Sequence, residues 1–143
     1  DCPAVFLPVT VAHEFAHQRG VAAEEECNFL SILACTTSGL ADYTYSGWLF
    51  GYIHLGNALY RADPEAWQAI RDSLPETVRA DLADNNAYWK QWEGPVKETG
   101  EKVYTAFLQG YGQELGMRSY GACVDLLVEE FLPYTTTGGL TAE

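Results

Sequence analysis

The feature that most restricts how this chain can fold is the run HEFAH at residues 13–17. Pro8 suits the first turn of a helix and Gly20 suits a left-handed residue after its end, so together they bracket a helix containing this run. On that helix, His13 and His17 stand four positions apart and project from one face. Two imidazoles on one face can ligate one metal ion, so the run predicts both a helix and a metal site.

The rest of the chain also shows a helical pattern, with proline or glycine at most segment boundaries. Further helices are expected over residues 22–35 and 40–60, from Pro64, from Pro75 toward Trp92, and over residues 96–109 and 119–132. No period-two alternation bounded by turns occurs, which predicts an all-α fold. We expect one compact domain of about six to seven helices at residues 1–134, with the H-E-x-x-H helix in its core. Residues 135–143 are predicted to be a disordered C-terminal tail.

Charge excludes one class of partner. The 143 residues include 8 basic and 20 acidic side chains, for a net charge of −12, and Arg19 is the one basic residue among the first 60. Nucleic-acid binding needs clustered Lys and Arg, so no nucleic-acid partner is predicted. No window resembles a membrane span of about 20 apolar residues. We expect a soluble fragment of a longer protein, because the chain opens at Asp1 directly into apolar sequence.

Glu14 follows the first histidine, so its carboxylate is expected beside the metal rather than on it. From there it can take a proton from a zinc-bound water and pass it to a leaving amine. Zinc would lower the pKa of that water toward about 7 and polarise a scissile carbonyl. These roles predict a zinc-dependent metallopeptidase that acts on peptide or protein substrates. The oxyanion donor is expected to be Tyr120, at a helix start, with Tyr45 as a second candidate.

A catalytic zinc site needs a third protein ligand and an open fourth position. The candidates are Glu24, Glu25 and Glu26, because Gly20 lets the chain reverse and return to the metal. Glu24 is favoured, since Asn28 lies four residues later on the same face and could hydrogen-bond a ligand histidine. Glu26 shares its face with apolar residues and is the alternative; the remaining acids would complement the helix dipole. The four cysteines contain no Cys-x-x-Cys spacing, so no thiolate zinc site is predicted.

The segment around this motif resembles the signature of a bacterial family, the domain of unknown function 3810. Its usual form is close to HE-x-AHQRG-x-x-x-E-[DE]-E-A-N-F. The matching residues are His13, Glu14, Ala16, His17, Gln18, Arg19, Gly20, Glu24, Glu25, Glu26, Asn28 and Phe29. Cys27 replaces the usual Ala, a small-for-small change. Looser matches at residues 45–47, 116–121 and 124–127 extend the resemblance over most of the chain.

Members of this family usually look like membrane proteins, with transmembrane helices before this domain. The resemblance therefore implies a membrane-associated full-length protein, anchored by segments outside this chain, with an extracytoplasmic location favoured. The family brings no established activity. The E-x-x-C-N run at residues 24–28 is also similar to the E-x-x-A-D of membrane zinc peptidases of the CAAX-processing and heat-shock type. That similarity implies a zincin-like, gluzincin-like centre with Glu24 as ligand, and with Asn28 replacing an Asp without supplying its charge.

A second interpretation is a zinc-stabilised structural or interaction domain of a membrane protein that hydrolyses nothing. No edge strand is predicted, although peptidases commonly hold substrate backbone by strand addition. An open coordination position and inhibition by a chelating hydroxamate would favour the enzyme. A third interpretation, helix packing without any metal, predicts that a chelator leaves the melting temperature unchanged.

Overall fold

The computed structural model describes residues 2–91 and 120–136 of the chain. Within these ranges, a short 3-10 helix at Ala4–Phe6 is followed by six α-helices. These are α1 (Leu7–Gln18), α2 (Glu24–Thr36), α3 (Ala41–Ala62), α4 (Pro64–Ser73), α5 (Glu76–Lys90) and α6 (Tyr120–Thr136). Within these two ranges there is no strand, and the predicted all-α class is confirmed. The helix expected at residues 96–109 lies outside the described residues.

Helix ends follow the local chemistry of their boundary residues. Oδ1 of Asp63 accepts a hydrogen bond from the backbone N–H of Ala66 at 2.9 Å, which caps α4, and Pro64 occupies the first helical turn. Gly20 follows the end of α1 with φ of +97°, the left-handed conformation expected for it. The starts of α2 and α3 lie one or two residues from their predicted positions.

The last helix continues past the proline that was expected to follow its end. Its end was predicted at Leu132, and α6 instead runs through Pro133 to Thr136. A proline in a helix interior costs about 3 kcal/mol, because it lacks an N–H and crowds the carbonyl four residues earlier. Phe131 packs on the core, with its ring centroid 5.0 Å from that of Trp48. Packing of the preceding turn therefore outweighs the local break, and residues 137–143 lie outside the described part.

The core lies where α1, α3 and α6 meet α2. Its buried side chains are Phe6, Val9, Ile32, Cys35, Leu49, Cys123 and Leu127. Fully burying one such aliphatic side chain contributes about 1.5–3 kcal/mol. Helices α2 and α3 approach closely at Gly47, where an added Cβ would lie 2.8 Å from Cβ of Cys35. A side chain at that position would push the two central helices apart.

Helix α1 packs on this core along one face only. Val9 is buried, and its backbone N–H donates a hydrogen bond to Oγ of the buried Ser46 at 3.2 Å. Leu7, Val11 and Phe15 remain exposed on the same helix. The H-E-x-x-H helix, expected in the core, is therefore a flanking helix that leaves the motif accessible from one side.

Helix α3 is the longest described helix, and it is rich in aromatic residues and glycine. Its buried positions include Leu49, Gly51 and Gly56, whereas Trp48 and Tyr60 are exposed. Neither α3 nor any other helix in the described ranges is long and apolar enough to cross a bilayer.

Candidate metal centre

The turn after α1 directs α2 back toward the two histidines. The backbone N–H of Val21 donates to the carbonyl of Ala16 at 3.2 Å, and that of Gly20 donates to the carbonyl of His17 at 3.0 Å. These two bonds form a Schellman motif, which needs a left-handed residue, and Gly20 supplies it. The chain then reverses over residues 21–23, and α2 begins at Glu24.

Three side chains from these two helices converge on one point. Nε2 of His13 lies 3.1 Å from Nε2 of His17. Oε2 of Glu24 lies 3.2 Å from Nε2 of His13, and Oε1 lies 3.4 Å from Nε2 of His17. All three residues are partly buried, so the group keeps an accessible side. Among the described residues, this is the group of His, Cys, Asp or Glu side chains that could hold a metal ion.

The spacing of these atoms suits a small tetrahedral cation. Zinc binds imidazole nitrogen at about 2.0–2.1 Å and carboxylate oxygen at about 2.0–2.2 Å, so two tetrahedral ligand atoms are roughly 3.3 Å apart. The three separations here are 3.1, 3.2 and 3.4 Å. Without a cation, two imidazole lone pairs at 3.1 Å would repel each other unless one nitrogen carried a proton. Donor type and spacing therefore both fit Zn²⁺.

The outer nitrogen of His17 is held by the turn itself. Nδ1 of His17 lies 2.9 Å from the carbonyl oxygen of Val21, so Nδ1–H donates, and in the neutral ring Nε2 carries the lone pair. Such an outer hydrogen bond fixes the tautomer and ring orientation of a metal-ligating histidine. Asn28 was expected to make this hydrogen bond to a ligand histidine. Among the described residues, its side chain has no hydrogen bond to the imidazole of His13 or of His17.

Cys27 is a neighbour of the centre that sequence reasoning missed. Its buried Sγ lies 3.3 Å from Nδ1 of His17 and 3.5 Å from the carbonyl oxygen of Val21. Burial, followed by the negative charges of Glu24, Glu26 and Glu14, raises the pKa of the Cys27 thiol. The thiol therefore stays protonated at neutral pH, where it can donate to Val21. Its one sequence signal was the departure from Ala at this position.

The three consecutive glutamates have three different environments. Glu24 reaches the histidines, as described above. Glu25 is buried, and its Oε2 accepts a hydrogen bond from the backbone N–H of Cys123 in the first turn of α6 at 3.1 Å. Glu26 is exposed. The structure thus brings Glu24 to the histidine pair, and it brings neither Glu25 nor the predicted alternative Glu26.

Two further groups lie near the centre. Glu14 is exposed, and its charge reaches Cys27 beside the centre. His54 of α3 is partly buried, with its ring edge-on to that of Phe50 at 4.7 Å between centroids. Burial lowers the pKa of His54, and a positive charge on His13 lowers it further, so His54 is neutral at pH 7. His54 therefore packs against Phe50 and is not part of the His13–His17–Glu24 group.

The two tyrosine candidates have different outcomes. The hydroxyl of Tyr45 donates to Oδ2 of Asp81 in α5 at 2.6 Å, so it is engaged in a contact between helices. Burial, and then the hydrogen bond and charge of Asp81, raise the pKa of Tyr45 to about 12. Tyr120 begins α6, but its side chain lies outside the described residues. Its role as oxyanion donor stays a prediction.

Comparison with known proteins identifies the family of this chain. A family model described as "Protein of unknown function (DUF3810)" matches residues 1–128, which include both helices of the centre. No curated protein and no solved structure matches the chain. Because the family match extends over most of the sequence, the chain belongs to the DUF3810 family.

Proposed function

We propose that this chain is a gluzincin-like, zinc-dependent metallopeptidase that hydrolyses peptide bonds. The observation that carries the proposal is the convergence of His13, His17 and Glu24 on one point with tetrahedral spacing. These residues would hold Zn²⁺ through two nitrogens and a carboxylate, which leaves the fourth position to solvent or substrate. When bound, zinc polarises a substrate carbonyl and lowers the pKa of water at the site.

The chain's own residues supply the proton transfers. Glu14 is exposed and follows His13 in the sequence, and its charge acts on Cys27 beside the centre. As general base it would accept a proton from the attacking water, and as general acid it would deliver that proton to the departing amine. The Val21 carbonyl keeps the proton of His17 on Nδ1, which reserves Nε2 for the metal.

We also propose that the full-length protein is membrane-associated, through segments outside this chain. The family resemblance supports this, and so does the exposed apolar row on α1 formed by Leu7, Val11 and Phe15. This row lies on the side of α1 turned away from the histidine pair, where it could contact lipid. Recovery of the full-length protein in the membrane fraction after alkaline carbonate extraction would test this part.

The decisive experiment compares Glu14→Gln with Glu26→Gln. Glu14→Gln should keep one zinc per chain by elemental analysis and lower the hydrolysis of a fluorogenic peptide mixture by about 10²-fold or more. Glu26→Gln removes the same charge from an exposed site outside the ligand group, and should leave both quantities unchanged. Loss of zinc in Glu14→Gln, or full activity in that variant, would contradict the assignment of Glu14.

The same experiment separates the second interpretation. The chain is a zinc-stabilised interaction domain if it binds one zinc through His13, His17 and Glu24 but hydrolyses no peptide and binds no hydroxamate. If the chain holds no zinc after reconstitution at neutral pH, both the metallopeptidase and the zinc-stabilised interaction domain are contradicted.

A further inference from the structure

Two adjacent cavities of opposite character lie outside the metal centre. One, of about 590 Å³, is lined by residues of α2, α3, α4 and α6, including Leu55, Ile70 and Val128, with no charged residue among the described ones. The other, of about 400 Å³, is bounded by α3, α4 and α5, and its lining includes Arg71 and Arg79. Both volumes fall within the range of small-molecule sites, about 300–1,000 Å³.

The smaller cavity concentrates positive charge in a strongly acidic chain. Two of the eight basic residues of a chain with net charge −12 line it. Neither Arg71 nor Arg79 forms an ion pair within the part of the chain that the structure describes. The guanidinium of Arg71 stacks over the indole of Trp67, 5.3 Å from its centroid, which restricts its position. Two arginines that have no carboxylate partner among the described residues are suited to bind an anion.

Amide groups complete the polar lining. Asn57, Asn85 and Asn86 all line the smaller cavity. Oδ1 of Asn85 accepts a hydrogen bond from Nε1 of Trp89 at 3.0 Å, so its amide NH₂ remains available as a donor. Donor groups and positive charge together define an anion site with room for a carboxylate or phosphate group.

The two cavities share lining residues on α3 and α4. Tyr52, Gly56 and Trp67 line both of them. Gly56 presents no side chain at this junction, where an added Cβ would lie 3.6 Å from Nε1 of Trp67. A ligand that passes these three residues would have one end among hydrocarbon side chains and the other end at the arginines.

We propose that the paired cavities bind a single-chain anionic lipid of the long-chain fatty-acid type. Its hydrocarbon chain would fill the cavity at Leu55, Ile70 and Val128, and its carboxylate would bind Arg71 and Arg79. An extended polypeptide fits this lining poorly, because its backbone N–H and C=O groups would lose water in the apolar cavity without gaining partners. A hydrocarbon chain has no such groups. The proposal is independent of the metal centre and its activity.

The test uses the full 143-residue chain and cis-parinaric acid, a fluorescent 18-carbon fatty acid, below its micellar concentration. We expect saturable binding of one molecule per chain. The double variant Arg71→Gln/Arg79→Gln should bind at least about tenfold more weakly, because charge-assisted hydrogen bonds are lost. Arg61→Gln removes a positive charge at the end of α3 that lines neither cavity, and should bind like the parent chain.

The apolar end is tested by placing a charge in it. Ile70 is 46% exposed, so Ile70→Glu should fold normally while introducing a carboxylate at the wall of the apolar cavity. It should abolish probe binding, whereas Leu7→Glu, a change at a 55% exposed apolar residue away from both cavities, should not. Circular dichroism and thermal melting verify the fold of each variant. A His13→Ala variant should still bind the probe, which separates this proposal from the metallopeptidase.

Several outcomes would overturn the inference. Equal displacement of the probe by oleate and by oleyl alcohol would mean that no anion is recognised. Binding unaffected by either Ile70→Glu or the arginine substitutions would place the probe elsewhere. If the protein does not bind monomeric cis-parinaric acid and binds only to phosphatidylglycerol vesicles, it recognises a charged lipid surface and has no lipid-binding cavity.

Discussion

At the scale of single residues, Gly20 connects the end of a helix to the orientation of His17, a proposed metal ligand. Its left-handed backbone closes the Schellman turn, and the next residue carries the carbonyl that holds His17. An L-residue in this conformation costs about 1 kcal/mol or more. No atom lies within 4 Å of the Cβ position, so conformational strain is the whole cost of adding a side chain there.

Gly20→Ala should therefore lower the free energy of unfolding by about 1 kcal/mol and also weaken zinc affinity. Gly39→Ala is a matched control, because Gly39 also has a positive φ, +71°, and also has open space at its Cβ position. Urea unfolding should show similar losses for the two variants, and competitive zinc titration should show a change in Gly20→Ala alone. Equal zinc affinities in the two variants would show that the turn at Gly20 does not affect zinc binding by His17.

Residue-level predictability has a clear physical limit. The roles of His13, His17 and Gly20 were predictable from the sequence. Helical spacing places the two histidines on one face, and a left-handed φ after the helix favours glycine. The role of the Val21 carbonyl was not predictable, since every residue has a carbonyl and its direction depends on a turn only the fold defines. Glu24 was favoured through Asn28, yet the observed outer partner of His17 is Val21, with Cys27 beside it.

At the scale of elements, Glu25 joins α2 to the first turn of α6. Its buried carboxylate accepts the N–H of Cys123, a position where negative charge also complements the helix dipole. Glu25→Ala should lower the free energy of unfolding by about 2 kcal/mol, because a buried donor loses its acceptor. Zinc binding should persist, whereas Glu24→Ala should remove it with little change in the stability of the metal-free chain.

Denaturant unfolding and zinc stoichiometry, measured on both variants, would separate these two effects. Glu26→Ala serves as the exposed neighbour and should change neither quantity. Loss of zinc in Glu25→Ala at a temperature where the variant is folded would contradict the division of labour among the three glutamates.

The contact between α3 and α5 predicts sensitivity to alkaline pH. The pKa of Tyr45 is raised to about 12, above its ordinary value of about 10, first by burial and then by Asp81. A raised pKa in the folded state means a stabilising contribution that is complete below about pH 10 and is lost as pH rises to about 12. Unfolding measured across this window should show falling stability in the parent chain and a smaller fall in Tyr45→Phe. Identical profiles would contradict the role of the Tyr45–Asp81 pair.

Helices were predictable here because proline, glycine and capping residues mark their ends. Asp63 and Pro64 illustrate this, since both act through local geometry that requires no tertiary information. Pro133 illustrates the opposite case, because packing of Phe131 on the core carries α6 beyond the expected end. Likewise, the burial of one face of α1 depends on the position of α2 and α3, which periodicity alone does not define.

At the scale of the whole molecule, metal binding should govern thermal stability. A ligand that binds the folded state at about a thousand times its dissociation constant contributes about 4 kcal/mol. For a chain of this size, that corresponds to a rise in Tm of about 10 °C. Differential scanning calorimetry should show this rise with zinc and its reversal with a chelator. In a His17→Ala variant the Tm should be the same with and without zinc.

The paired cavities are a property of the whole molecule and had no counterpart in the sequence predictions. Arg71 and Arg79 lie on different helices, and the apolar lining comes from positions spread between α2 and α6. Ile70, Arg71 and Val128 are exposed helix positions, whereas Ile32 and Leu127 belong to the buried core. Only the packing of α3 beside α4, α5 and α6 gives these residues a shared volume.

The ligands of the metal centre all come from one short stretch, His13 to Glu24, closed by the turn at Gly20. Closing a loop this short costs little chain entropy, and such local contacts form early in folding. When the chain is synthesised, α1 and α2 are complete before α3 to α6 exist. If zinc binds as proposed, it would cross-link the first two helices at that stage, and the remaining helices would fold onto a metal-loaded surface.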